Sequence, residues 1–281
     1  EVVVVDSGSA DRTPDMAAGS DVVAAVLRNP GGEPAGSRNL GAARSRGRIL
    51  AFTDADCEPA EDWLAAGLRA LEGADIVQGQ VLPASERGPF DRTVEVRSEY
   101  GLYETANLFV RREVFERTGG FEPVLGIGQD THPFGEDAWF VWRARRAGAH
   151  TSFAPDAVVH HAVFPRGLGG FVAEHARARY FPGLVALIPE LRGQFLHRRL
   201  FLSTHTAWFD TLLGGLLAGA LTRRTSPPLA AALAYAWHLE RTNRGWPPET
   251  RLRALAGRVL ADAVTFGALA RGSLEARSLV L

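Results

Sequence analysis

A chain of 281 residues with 46% hydrophobic and 22% charged residues has ordinary globular composition, enough for one large domain or one domain with an appendage. Its formal net charge of −1 argues against a nucleic-acid partner, and a single cysteine, Cys57, excludes a disulfide framework and a cysteine-rich zinc site. All 31 basic residues are arginine, which excludes a P-loop or Schiff-base lysine and leaves phosphate to arginine, backbone N–H groups or a metal.

No signal sequence is recognisable, which with the lone cysteine points to the cytoplasm. The chain opens at Glu1 inside an apolar run, with Met16 its one methionine, and reads as a fragment or a processed chain. Four valines at 2–5 predict a strand, which ends in Asp6 and runs into the turn chemistry of Ser7, Gly8, Ser9 and Asp11. A Gly/Pro-rich stretch covers 28–39. A second strand is predicted over 49–53, a helix from Pro59 to Gly73 with Trp63, Leu64, Leu68 and Leu71 on one face, and a third strand over 74–81.

Residues 84–104 are polar and irregular, with at most a short helix. A strand-like run at 105–111 leads into a helix stopped by Gly119 and Gly120. A loop over 122–137 follows, then a helix closed by Gly148 and a last strand at 157–161. This alternation predicts an α/β domain over 1–165, a mostly parallel sheet with flanking helices. From 166 to 281 the pattern is helical. Its apolar runs at 211–221 and 227–239 fall short of the ~20 residues that cross a bilayer. Arginines alternating with apolar residues over 175–202 read either as helices packed on the α/β domain or as a basic amphipathic surface on an anionic membrane.

The stretch Ala-Phe-Thr-Asp-Ala-Asp-Cys-Glu-Pro at 51–59 runs a buried strand into two acids, Asp54 and Asp56. One reading is a turn, with Asp56 capping the next helix. The other is a cation site, because two hard carboxylates at the carboxyl end of a strand suit Mg²⁺ or Mn²⁺ holding a phosphate.

Four pieces stand in one order: Asp6 with Ser-Gly-Ser-Ala-Asp; Ser37-Arg38-Asn39-Leu40-Gly41 leading to Asp54-Ala55-Asp56; an arginine pair, a phenylalanine and Gly119-Gly120-Phe121; and Glu136-Asp137. Together they make residues 1 to about 165 resemble the family 2 glycosyltransferases, inverting enzymes of the GT-A fold. The resemblance implies a nucleotide-sugar donor, a hydroxyl acceptor (a glycan or lipid-linked) and a Mn²⁺ or Mg²⁺ cofactor. It assigns the metal to Asp56, with Asp54 nearer the ribose, and the catalytic base to Asp137, kept ionised by a helix N-terminus, with Glu136 holding the acceptor. His161, rather than His160, completes the metal shell. Arg38 belongs near the nucleotide or diphosphate. Asp6, Ser9 and Asp11 are nucleotide-side residues, with a plain turn role as the alternative for Asp6 and Asp11, and for Asp11 an equal one.

Two departures stand out. The family's first strand and base-gripping loop, which precede the valine run, are absent, so the chain is truncated or its sheet rearranged. The Gln-x-x-Arg-Trp motif of processive members is also absent, its nearest echo being 176–180, which argues against a polymer synthase. Two rival functions remain: a sugar-1-phosphate nucleotidyltransferase, disfavoured by the lack of lysine, and a non-catalytic, membrane-docked binding module. The expected location is the cytoplasm, with the inner face of the cell membrane as the place of any peripheral contact.

Overall fold

The valine run forms β1 (Val2–Asp6), which pairs in parallel with β2 (Val23–Arg28) across the short helix α1 (Thr13–Ala18). These two strands make a sheet of their own. The computed structural model describes residues 1–124 and 134–281, so the central part of the loop expected over 122–137 lies outside the described residues. After α2 (Pro34–Arg44) come β3 (Ile49–Phe52), β4 (Cys57–Pro59), α3 (Trp63–Ala70), β5 (Ile76–Pro83) and β6 (Leu108–Arg111). Then follow α4 (Arg112–Thr118), α5 (Glu136–Arg146) and β7 (Thr151–His161).

The second sheet has the order β3-β6-β5-β7-β4. The α/β class is as expected, but a mostly parallel sheet is not: only β5 and β7 run parallel, while β3–β6, β5–β6 and β4–β7 are antiparallel. β3 and β4, joined by the four-residue loop Thr53–Asp56, do not pair but lie at opposite edges, each laid against a strand that runs the other way, β6 and β7. β4 is also an edge strand, which is why it tolerates Pro59, the residue expected to open the helix.

Asn107 fixes the register of this sheet. It is fully buried. Its side chain accepts from Trp63 Nε1 at 2.8 Å and donates to the carbonyls of Gln80 at 2.8 Å and Ala157 at 2.7 Å. Those carbonyls flank the point where the β5–β7 register shifts, between Gly79 and Gln80. A Cβ on Gly79 would sit 2.2 Å from Asn107 Nδ2, so the amide needs the glycine. Trp63 then lies 5.1 Å from Phe109, ring to ring, in a core with Leu71, Val77, Val81 and Val159.

A second bracing joins two of the sequence motifs. The Asn39 amide donates to Phe121 O at 2.7 Å and accepts from Phe121 N at 2.9 Å. Phe121 itself packs against Phe52, Phe115 and Phe140, at 4.8–5.6 Å between ring centroids. Gly120, at φ 71°, permits this, because a Cβ there would lie 2.7 Å from Asn39 Oδ1.

The chain divides into two compact units, Glu1–Ala84 with Val94–Ala162, and Ser85–Thr93 with Val163–Leu281. The second unit is built on α6 (Leu168–Glu174), α7 (Phe181–Leu187), α8 (Leu191–Gln194), α9 (Thr204–Thr222), α10 (Ser226–Asn243) and α11 (Pro248–Ala276). Its segment 85–93 is tied in by Arg92 and Phe164, which exchange backbone hydrogen bonds at 2.9 and 3.0 Å. α9 opens on a capping box in which Ser203 and Thr206 bond each other's backbone N–H. No described helix is long and apolar enough to cross a membrane.

Candidate active site

Asp54 and Asp56 lie in the loop between β3 and β4, and the pairing of β4 with β7 sets what they face. Cys57 stands opposite His161, and Ala162 N donates to Asp56 O at 2.8 Å, so the strand end is closed against β7. Successive residues of a strand point to opposite faces, and it is His161 that is buried, with Nε2 3.5 Å from Asp56 Oδ2. His161 Nδ1 lies 2.8 Å from Ala162 O. A carbonyl only accepts, so in the neutral ring Nδ1 carries the proton and Nε2 turns a lone pair toward the carboxylate. A lone pair facing a carboxylate at that distance suits a cation between them, and imidazole with carboxylate oxygen is an acceptable donor set for Mn²⁺. Cys57 Sγ belongs to the same cluster, whose ligand atoms all lie within 4.8 Å of one another. Burial and the nearby Asp54 push its thiol up to about 11, which leaves Asp56 and His161 as the ready donors.

Arg38, on α2, joins this loop to the start of α5. Its Nη1 donates to Glu136 Oε1 at 2.8 Å and its Nη2 lies 3.5 Å from Asp54 Oδ1, with the guanidinium 5.8 Å from the Phe121 ring centroid. Glu136 is buried and Asp137 half-buried, both in the first turn of α5 after Gly135, whose φ is 78°. Contrary to the expectation that the helix N-terminus keeps Asp137 ionised, its pKa is raised well above the usual carboxylate range. Burial of the carboxyl is the first cause; the charges of Glu136 and Glu104 add to it, and Arg38 offsets them only in part.

Asp6 closes β1 on its own turn, accepting Ser9 N at 3.1 Å and Gly8 N at 3.3 Å, and the hydrogen bonds from Ser9 and Gly8 hold its carboxyl below the usual range. Ser7 Oγ and Ser37 Oγ, 2.8 Å apart, tie this turn to α2 one residue before Arg38. Asp11 is exposed and accepts Thr13 N at 3.0 Å, at the entry to α1. Hydrogen bonds and ion pairs thus unite Arg38, Asp54 and Glu136, and separately Asp56 and His161. The carboxylates of Asp6 and Asp11 take their hydrogen bonds from neighbouring backbone in their own turns.

Residues 1–124 match the family model Glycosyl transferase family 2. Residues 1–124 thus resemble the catalytic domain of the family 2 glycosyltransferases. It is 33% identical over 183 residues to glycosyltransferase AglE of Haloferax volcanii, covering 59% of this chain and 58% of that protein. To a pre-mycofactocin glycosyltransferase of Mycobacterium tuberculosis it is 29% identical over 180 residues, covering 57% of this chain and 37% of that protein. The chain therefore spans little more than half of the one relative and about a third of the other. Among solved structures it resembles mannosyltransferase PcManGT from Pyrobaculum calidifontis, in complex with GDP-Man and Mn²⁺, with a TM-score of 0.56 at 21% identity over 95% of this chain and 77% of that one. The fold of the α/β unit is GT-A.

Two residues of the α/β unit, Glu104 and Tyr100, are not legible in the sequence. Glu104 raises the pKa of Asp137, and its own carboxyl is pushed up by burial. One of its oxygens takes the Tyr100 hydroxyl, while the other is buried with no hydrogen-bond partner among the described residues. Its backbone carbonyl is gripped by Gln78 Nε2 at 3.2 Å and Asn107 N at 3.2 Å. Both residues sit in the stretch read as irregular, where no periodicity distinguishes them from solvated polar residues.

Proposed function

We propose that this protein moves a sugar from a nucleotide-sugar donor to a hydroxyl acceptor, with inversion and with the help of a divalent cation. The observation that carries the reading is Arg38: one guanidinium reaches Asp54 on the metal-facing loop and Glu136 beside the candidate base. A displacement needs those two ends within a few ångströms of one reacting carbon.

Asp137 takes the acceptor's proton. The acceptor oxygen then bonds to the anomeric carbon as the bond from that carbon to the diphosphate oxygen breaks, and the electron pair leaves on the diphosphate. A single displacement inverts the carbon. A base whose pKa lies above the usual carboxylate range is better matched to neutral operation than an ordinary aspartate. Asp56 and His161 would hold the Mn²⁺ or Mg²⁺, whose charge offsets that developing on the leaving diphosphate. Arg38 serves the same charge, Asp54 the ribose, and Glu136 the acceptor. Asp6, Ser9 and Asp11 line the nucleotide side.

The helical unit supports a peripheral contact with an anionic membrane, suited to a lipid-linked acceptor. On α9, Leu217 and Leu221 are exposed one turn apart; on α10 so are Leu229, Leu233 and Trp237. Arg223 and Arg224 occupy the turn between the two helices, and the Arg241 guanidinium lies 5.4 Å from the Trp237 ring centroid. Exposed apolar stripes edged by arginine suit insertion among anionic headgroups.

Titration calorimetry of GDP and UDP with and without Mn²⁺ tests the metal reading. Wild type should bind in a Mn²⁺-dependent manner, Asp56→Ala should lose that dependence, and Asp54→Ala should weaken it less. Equal Mn²⁺ dependence in wild type and Asp56→Ala overturns the assignment.

A further inference from the structure

A cavity of about 300 Å³ lies within the helical unit, and all its walls come from that unit. Arg258 of α11 enters it, with His205 of α9, Asn243 at the end of α10, Trp246, and Arg87 and Asp91 of the segment 85–93. Arg258 is held in place from two sides. Its Nη1 donates to His175 Nε2 at 3.4 Å, and its guanidinium lies 5.3 Å from the Phe171 ring centroid. His175 Nδ1 is 2.9 Å from Phe171 O. A carbonyl can only accept, so that nitrogen bears the proton and Nε2 offers its lone pair to the guanidinium. The neutral histidine aims the arginine without cancelling its charge.

Its acidic neighbours are engaged elsewhere, and Asp262 feels its charge only as a minor influence. Among the described residues Arg258 makes no ion pair. Asp262, one turn further along α11, accepts the Tyr235 hydroxyl at 2.7 Å, and burial raises its pKa. Asp91, the acid in the wall, is engaged by backbone donors, Gly88 N at 2.7 Å and Arg166 N at 3.3 Å. His205 pairs with His238 across 3.1 Å, and burial together with Arg258 pushes its pKa down to about 4. His238 is shifted the same way, by burial first and then Arg258. The imidazoles thus stay neutral beside an arginine that is fixed, partly dehydrated and without an ion pair among the described residues.

We propose that this cavity binds the phosphate group of an organic phosphomonoester or diphosphate. A planar guanidinium matches phosphate oxygens, and His205 and Arg87 supply further donors on the same wall. The volume exceeds what a bare ion fills, and the rings of Trp246 and Phe171 give an attached organic group something to pack on. A soluble ligand and a lipid-borne one share this phosphate recognition, and the two probes below distinguish them.

The test uses the full chain in EDTA, so that divalent-dependent nucleotide binding does not contribute. Inorganic pyrophosphate and, separately, dihexanoyl phosphatidic acid below its micellar concentration are titrated while the histidine side chains are followed by ¹H–¹⁵N NMR, with His205→Gln to assign the signal. A bound dianion must raise the pKa of His205, so its ring should begin to titrate at higher pH. Arg258→Gln should weaken binding roughly ten- to a hundredfold, the range for a charge-assisted hydrogen bond. Tighter binding of the lipid probe than of pyrophosphate identifies a lipid-borne phosphate, and the reverse a soluble one. A wild-type His205 signal that neither probe moves overturns the proposal, and that result needs no variant to fold. Because Asp56 and Asp137 are not involved, it leaves the glycosyltransferase reading untouched.

Discussion

Replacing Asn107 by alanine should unlatch the central sheet. The side chain makes three hydrogen bonds, to Trp63 Nε1, Gln80 O and Ala157 O, all between 2.7 and 2.8 Å and none open to solvent. Each is worth ~1 kcal/mol net, and a buried partner left unpaired costs ~1–3 kcal/mol more. With part of that loss relieved by local relaxation, the expected destabilisation is about 4 kcal/mol. In a chain of this size each kcal/mol moves Tm by ~2–4 °C, so the transition should fall by about 8–16 °C in calorimetry or circular dichroism. Asn107→Ala also strands the Trp63 indole N–H, so Trp63→Phe should cost less in that background than in wild type, by ~1–2 kcal/mol in a double-mutant cycle. A loss below ~1 kcal/mol, or strictly additive effects, would refute the view that this amide holds the β5–β7 register shift.

Asp137→Asn keeps size and hydrogen bonding but cannot take a proton, so turnover should fall ~10²-fold or more while donor affinity stays within a few-fold; loss of donor binding would make the residue structural instead. Glu104→Gln removes a negative neighbour that raises the pKa of Asp137, so the acid limb of the kcat profile should move to lower pH, and an unmoved limb would remove Glu104 from the site's electrostatics. Leu229→Ser, Leu233→Ser and Trp237→Ser combined should reduce co-sedimentation with anionic vesicles, and salt should weaken wild-type binding; unchanged binding would reject the stripe as the membrane contact.

The sequence pattern made strands β1, β3, β5 and β6 readable because each is a short apolar or β-branched run with turn residues beside it. It missed α2, whose residues include two glycines and a proline, because helix formation there is carried by tertiary contacts: Asn39 clasped to Phe121, and Ala35, Ser37 and Ala42 turned inward. Strand direction is illegible for a related reason. Alternation of strands and helices says nothing about which end of the sheet the chain re-enters after the excursion through 85–93. His161 and His160 are adjacent in sequence and equivalent by composition, and only the pairing of Cys57 with His161 distinguishes them. Glu104 is illegible because what matters about it, an oxygen buried without a partner among the described residues, arises from packing.

The segment 85–93 has a consequence for how the chain is made. Its anchors lie downstream: Phe164 and Arg166 bond its backbone, and a Cβ on Gly257 would meet the Phe90 ring at 2.5 Å. As the chain leaves the ribosome, β5 emerges some eighty residues before the first of these partners and far longer before α11. Domains usually settle in order of synthesis, but here a loop of the first unit's connectivity must wait for the last helix. A nascent chain cut near residue 165 would therefore expose Phe90 with nothing to cover it, and such intermediates are natural clients for chaperones.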